Sequence, residues 1–381
     1  MQKNKVINPN YIYIVYLITN IAAAMTWPVT TIYLTKYLHR SFTESGLILM
    51  AASLIAMLAS FLAGRLFDFW KPYASLIISI FISLGAMIAM FFWHAWPVYP
   101  IFLLINNIGF GMMQTLLNSY VSFAGNKSPK KLFSNMAIFM NIGVVIGTFT
   151  GTFLFSHFLV RGTMIFGIII LLLMLILVLI GFNRNLHGSS TKNSDNHPLH
   201  LTKIMMALGF LSLMFYLTYQ FWETVISPHM VKIGMSIEMY GWLWVFNGLT
   251  IILLQNFITN LTTKWSYVKS SVIGATIFAI SFPPLIWANQ FWQYILIFEI
   301  LTIGEMMFTP SVNAWFSSLV QEKMRGRIMA FSAMSVSLGR SFGPVYAGFF
   351  IDNNLIVGLF ASSFIILMIS NLFVYFLGRS H

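Results

Sequence analysis

Of the nine acidic side chains in 381 residues, three fall inside long apolar stretches. "LTIGEMMFTPS" (301–311) carries Glu305, Glu299 lies six residues earlier, and "YQFWETVISPH" (219–229) carries Glu223. Arg340, in "GRSFG" (339–343), is a cation in a similar setting. An acidic side chain at the centre of a membrane helix costs about 2.5–3.5 kcal/mol, so such residues face a cavity or a partner. A carboxylate taken out of water favours its neutral form, and one that faces a cavity is suited to exchanging a proton for a cation. Glu44, Asp68, Asp195, Glu238, Glu322 and Asp352 fall in loops or at helix ends, where water solvates them.

Depth sorts the buried charges. At about 1.5 Å per residue, Glu299 and Arg340 each lie about 18 Å above the inner boundary of a 30 Å layer. Buried charges tend to be paired, so Glu299 and Arg340 are expected to form an intramembrane ion pair. Glu305 points about 120° away from Glu299 on the same helix and does not easily share that partner. It is expected to be an unpaired carboxylate facing a central cavity, the alternative being that Arg340 bends down to it. Glu223 lies about 28 Å along its helix, near the outer mouth. There it is either solvated at the rim or combines with Phe221 and Trp222 into a surface for a lipophilic cation.

The elements that hold these residues follow from composition. Hydrophobic residues make up 58% and charged residues 8%, against about 25% charged in a soluble domain. A helix needs about 20 apolar residues to span the hydrocarbon layer, and repeated runs of that length exclude the alternating pattern of a membrane β-barrel. The chain is expected to be an all-α polytopic membrane protein with twelve transmembrane helices. They are placed at about 11–35, 44–66, 73–93, 98–122, 133–157, 162–182, 204–229, 239–260, 268–288, 291–318, 328–350 and 354–378. The net charge of +12 comes from Lys and Arg in short loops, a pattern that argues against nucleic-acid binding. With the N-terminus inside, only Lys36, Arg40, Arg161 and Lys232 fall on the outer side. Both termini are therefore expected on the cytoplasmic face of a bacterial cell membrane. Without cysteine there is no disulfide framework or thiolate metal site. Phosphate-binding loops, nucleophile elbows and metal-ligand spacings are also missing, which speaks against an enzyme or a primary pump and for no metal and no cofactor beyond a proton gradient.

The hydrophilic stretch 183–203 divides the chain into two expected six-helix halves, 1–182 and 204–381, and the halves repeat. "SFTESG" (41–46) matches "SIEMYG" (236–241), "GMMQT" (111–115) matches "EMMFT" (305–309), "GVVIG" (143–147) matches "GRSFG" (339–343), and Trp27 matches Trp222. Halves of common design with a site at their interface are the architecture of many secondary transporters. "GRLFDFWKP", with Gly64, Asp68 and Lys71, resembles the first cytoplasmic-loop motif of the major facilitator superfamily. "GRSFGPVYAG", with Gly339, Gly343 and Pro344, is similar to the Gly-Pro signature of its antiporter branch. "TIGEMMFTPS" is similar to the tenth helix of LmrP-type bacterial multidrug exporters.

The resemblance implies the superfamily fold and alternating access. It implies that Asp68 latches one face shut and joins Glu305 in proton coupling. The first, fourth, seventh and tenth helices are implied to line a cavity, which makes Asn20, Trp27, Gln114, Asn118, Gln220, Trp222, Glu223, Glu305 and Asn313 candidate substrate contacts. An Arg that many proton-driven exporters carry on the fourth helix is replaced here by Asn107. The expected function is proton-coupled export of lipophilic, cationic compounds by a monomer. Its partners would be a small-molecule or lipid-like substrate, protons and the bilayer. A lipid or glycolipid flippase, a sugar or metabolite carrier, and a channel or non-transporting membrane protein remain alternatives.

Overall fold

The computed structural model describes residues 8–121, 129–182, 200–321 and 324–379. Most of the expected 183–203 linker, with Asp195, lies outside them, as does Glu322. The described residues form helices and short connections, with no strand among them. In chain order these are α1 (Pro9–Ile32), continued by a π-helical turn (Tyr33–Tyr37), α2 (Phe42–Phe69), α3 (Pro72–Phe92), α4 (Val98–Val121) and α5 (Pro129–Gly181). There follow α6 (Lys203–Thr224), α7 (Ile226–Lys232), α8 (Ile237–Thr262), α9 (Tyr267–Ile280), a 3₁₀ turn (Pro283–Ile286), α10 (Phe291–Ser318), α11 (Arg325–Asp352) and α12 (Ile356–Arg379).

Local chemistry sets the helix starts. Asn8 accepts the Asn10 N–H ahead of Pro9, and Thr202 accepts the Met205 N–H at 3.4 Å, each satisfying a donor that the helix leaves open. The expected fifth and sixth helices appear as one element, α5, broken at Leu159 (φ 53°, ψ −156°). A straight helix of 53 residues would run about 80 Å, so the break separates two crossings without a polar loop. The expected seventh helix is α6, extended by α7 past Val225. Ten segments among the described residues are long and apolar enough to cross a membrane, one of them holding both crossings of α5. α11, with Arg325, Arg327 and Arg340, is not among them.

Two compact units emerge, Met1–His39 with Ala51–Ser194, and Arg40–Met50 with Asp195–His381. In the first, α1 packs mainly on α5; in the second, α6 packs mainly on α11. Glycine makes both seams. A Cβ on Gly147 would collide with the Ile21 carbonyl oxygen, and one on Gly343 with that of Leu217. Backbones therefore meet directly, as small residues permit in membrane helix pairs. The second unit adds an aromatic core, in which the Phe215 ring stacks between Phe278 (3.8 Å) and Phe308 (4.1 Å). It also includes the start of α2, where the Asp352 carboxylate accepts the Phe42 and Thr43 N–H groups at 2.9 and 2.7 Å.

Candidate functional site

Tyr216, Tyr219, Gln220 and Glu223 are spaced three, one and three residues apart and so line one face of α6. The glycine seam brings α11 against α6 and carries Arg340 to that face. The guanidinium lies over the Tyr216 ring, 5.3 Å from its centroid, a cation–π arrangement that gives the charge a defined seat. The Tyr216 hydroxyl is 3.2 Å from the Thr309 hydroxyl on α10. One turn earlier on α10, Glu305 has the Tyr219 hydroxyl as a polar neighbour. Gln220 donates through Nε2 to Glu223 Oε2 at 2.7 Å. The carboxylates whose charge reaches Arg340 are Glu223 and Glu305. Glu223 is buried, whereas Glu305 and Arg340 are half-buried and reach the surface of their unit.

The cluster thus sets two carboxylates around one guanidinium. With both ionised it carries one net negative charge in a medium where an uncompensated charge is costly. A single proton or a single monovalent cation removes that excess. Arg340, always protonated, supplies a fixed charge, and the two glutamates supply the exchangeable one.

Several expectations change. The Glu299–Arg340 pair is not formed, since neither Glu299 oxygen accepts a hydrogen bond among the described residues and its polar neighbour is Thr250. The 120° rotation between Glu299 and Glu305 separates the two carboxylates around α10, and it is the charge of Glu305 that reaches Arg340. The carboxylates within electrostatic reach of Arg340 are instead Glu223 and Glu305. Glu223 is neither solvated at a rim nor part of an aromatic surface. Trp222 is fully buried and stacked on Phe298 at 4.4 Å, with the Tyr240 hydroxyl donating to its carbonyl oxygen at 2.6 Å. It belongs to the interior of its unit because the next position, 100° round the helix, carries the polar face.

The first-unit candidates do not gather around a charge. Asn20 is buried, donates to the Tyr16 carbonyl at 2.7 Å and accepts from Gln114 at 3.3 Å. Trp27 is half-buried and Asn118 exposed. In the second unit Asn313 is exposed and accepts from Ser332 at 3.4 Å. Asp68 and Lys71 are exposed near the α2–α3 turn, and a Cβ on Gly64 would meet nothing within 4 Å. Gly339 and Gly343 serve the α6–α11 seam, and the Pro344 carbonyl lies where a Cβ on Gly46 would sit. Tyr216, Tyr219 and Thr309 were not anticipated. Their signal was present in the α6 spacing and in the four-residue step from Glu305 to Thr309.

Comparison with known proteins places the chain. The sequence pattern of the Major Facilitator Superfamily matches residues 12–225 and 208–381. The MFS-type transporter YttB of Bacillus subtilis (strain 168) is 31% identical over 362 residues, covering 91% of this chain and 89% of that protein. The quinolone resistance protein NorA of Staphylococcus aureus (strain COL) is 25% identical over 344 residues, covering 85% of each. Among solved structures, the nucleoside transporter NupG superposes with a TM-score of 0.80 at 13% identity, covering 98% of this chain and 99% of that one. A bacterial homologue of the human lysosomal transporter Spinster, in an inward-facing and occupied conformation, gives 0.76 at 12% identity, with 98% and 96% covered. Two glycine-seamed helical units, a charge cluster within the apolar helices and matches along most of the chain lead to one conclusion: the chain belongs to the Major Facilitator Superfamily of membrane transporters.

Proposed function

We propose that this transporter exports lipophilic cations in exchange for protons, with Glu305 as the coupling carboxylate. The observation that carries the reading is the surplus of one carboxylate over Arg340 in the Glu223–Arg340–Glu305 cluster. The reading is supported by relatives named for quinolone resistance and by the half-buried position of Glu305. Both glutamates feel Arg340, but Glu223 is buried and accepts from Gln220, whereas Glu305 reaches the surface of its unit, which makes Glu305 the group that exchanges its proton. Open to the outside, the cavity meets a more acidic solution, Glu305 takes a proton, and the cation is released. Open to the cytoplasm, the proton leaves and the bare carboxylate favours capture of the next cation. Asp68 latches the cytoplasmic side, and both termini face the cytoplasm, as the distribution of basic loop residues directs.

Transport into inverted vesicles, measured for a panel of lipophilic cations and neutral analogues with and without a pH gradient, tests the reading. Gradient-dependent uptake of cations is expected. Uptake that ignores the gradient, or a panel in which only sugars or lipids move, overturns it in favour of a uniporter, a sugar carrier or a flippase.

A further inference from the structure

Away from the charge cluster, the second unit holds a cavity of about 780 Å³ where the start of α9 meets the ends of α10 and α12. It falls within the roughly 300–1,000 Å³ range of ligand pockets. Its polar rim holds Lys269 and Arg379, each seated over an aromatic ring: Lys269 Nζ is 4.6 Å from the Trp265 centroid, and the Arg379 guanidinium 4.6 Å from that of Tyr375. Among the described residues no carboxylate lines the cavity or pairs with either cation. The Ser266 hydroxyl accepts the Lys269 N–H at 3.2 Å, which fixes the first turn of α9 beneath that side chain. The remaining wall is apolar, with Val272 and the buried Trp315.

Two cations without a carboxylate partner among the described residues, at a helix-end rim above an apolar wall, select an anion with a hydrocarbon tail. We propose that this cavity binds the head group of an anionic phospholipid, its phosphate between Lys269 and Arg379 and an acyl chain along Val272 and Trp315. Basic pockets between transmembrane helix ends bind anionic head groups in this way, and the aromatic seats hold the two cations ready. A free phosphate ion would satisfy the cations but leave the apolar wall unused.

Native mass spectrometry of the purified full chain, titrated with phosphatidylglycerol or phosphatidylcholine, tests the site. Lys269→Gln/Arg379→Gln is compared with Lys203→Gln/Lys264→Gln, which removes the same charge from exposed positions outside the cavity. The cavity variant should bind phosphatidylglycerol roughly 30-fold more weakly and either single variant about fivefold, while the control binds like the parent. Inorganic phosphate should not displace the lipid. Equal affinity in the two double variants, equal binding of phosphatidylcholine and phosphatidylglycerol by the parent, or displacement by inorganic phosphate alone each overturns the proposal. None of these readouts depends on transport, so failure here leaves the exporter reading standing, and failure of the exporter reading leaves the lipid site standing.

Discussion

The two units share a scaffold and differ in what it carries. Gly143 and Gly147 on α5 press against the Leu17 and Ile21 carbonyls of α1, and Gly339 and Gly343 on α11 press against those of Leu213 and Leu217 on α6. Every member of the second set lies 196 positions after its counterpart. At the repeat-related positions for Glu223, Glu305 and Arg340 the first unit has Pro28, Gly111 and Val144. One unit therefore keeps the backbone seam with an uncharged Asn20–Gln114 contact, and the other adds the charge cluster. Direct backbone packing needs glycine whatever the cargo, whereas titratable chemistry is needed once, so the seam repeats and the charges do not.

The largest effect that separates the units is expected at Arg340. Arg340→Gln leaves two carboxylates facing each other and should cost about 3–5 kcal/mol, read as a fall in Tm in detergent. Val144→Ala at the related position should cost about 1 kcal/mol. Adding Glu223→Gln to Arg340→Gln should restore part of the loss, while Glu299→Gln should act additively; the reverse pattern would reinstate the Glu299 pair. Where the scaffold is shared the responses should agree. Gly147→Val and Gly343→Val should each cost about 1–3 kcal/mol through overpacking, and a loss confined to one of them breaks the equivalence of the seams. Of similar size, Gln220→Leu removes a donor to a charged group and should cost about 1.5–3 kcal/mol. Gln114→Leu, ending a neutral contact, should cost about 0.5–1.5 kcal/mol.

The smallest expected effect is a pH dependence outside the membrane. The His94 ring accepts from Arg161 Nε at 3.2 Å and lies 2.7 Å from the Tyr33 hydroxyl. Burial, then the Arg161 charge, holds His94 below its ordinary value. The unfolded chain consequently takes up that proton more readily, so this contribution to stability is present above the ordinary histidine value and is lost as pH falls through it. Arg161→Gln should flatten the dependence of Tm on pH between about 5 and 8; an unchanged slope assigns the dependence to another group.

Much of this was legible beforehand because membrane helices are written in long apolar runs and close helix contact is written in glycine spacing. The repeats at 143–147 and 339–343 marked both seams. What depth arithmetic could not supply was azimuth. Glu299 and Arg340 were expected at one level, yet the six-residue step to Glu305 turns the helix, and the charge that reaches Arg340 is that of the later residue. The same limit misplaced Trp222, whose neighbour Glu223 holds the polar face while its own ring stacks inside the unit. The break at Leu159 falls in the gap expected between the fifth and sixth helices, 157–162, where His157 and Arg161 interrupt the apolar run.

The central claim is that Glu305 is where a proton and a cationic substrate exclude one another. The direct test is binding of a lipophilic cation such as tetraphenylphosphonium to purified parent and Glu305→Gln protein between about pH 5 and 9, the range over which a buried glutamate titrates. The parent should bind more tightly as pH rises. Glu305→Gln should fold and express normally, bind the cation weakly at every pH and show a flat profile, with a neutral analogue bound as before. A variant that keeps the parent's pH profile contradicts the claim and makes Glu305 a structural partner of Arg340.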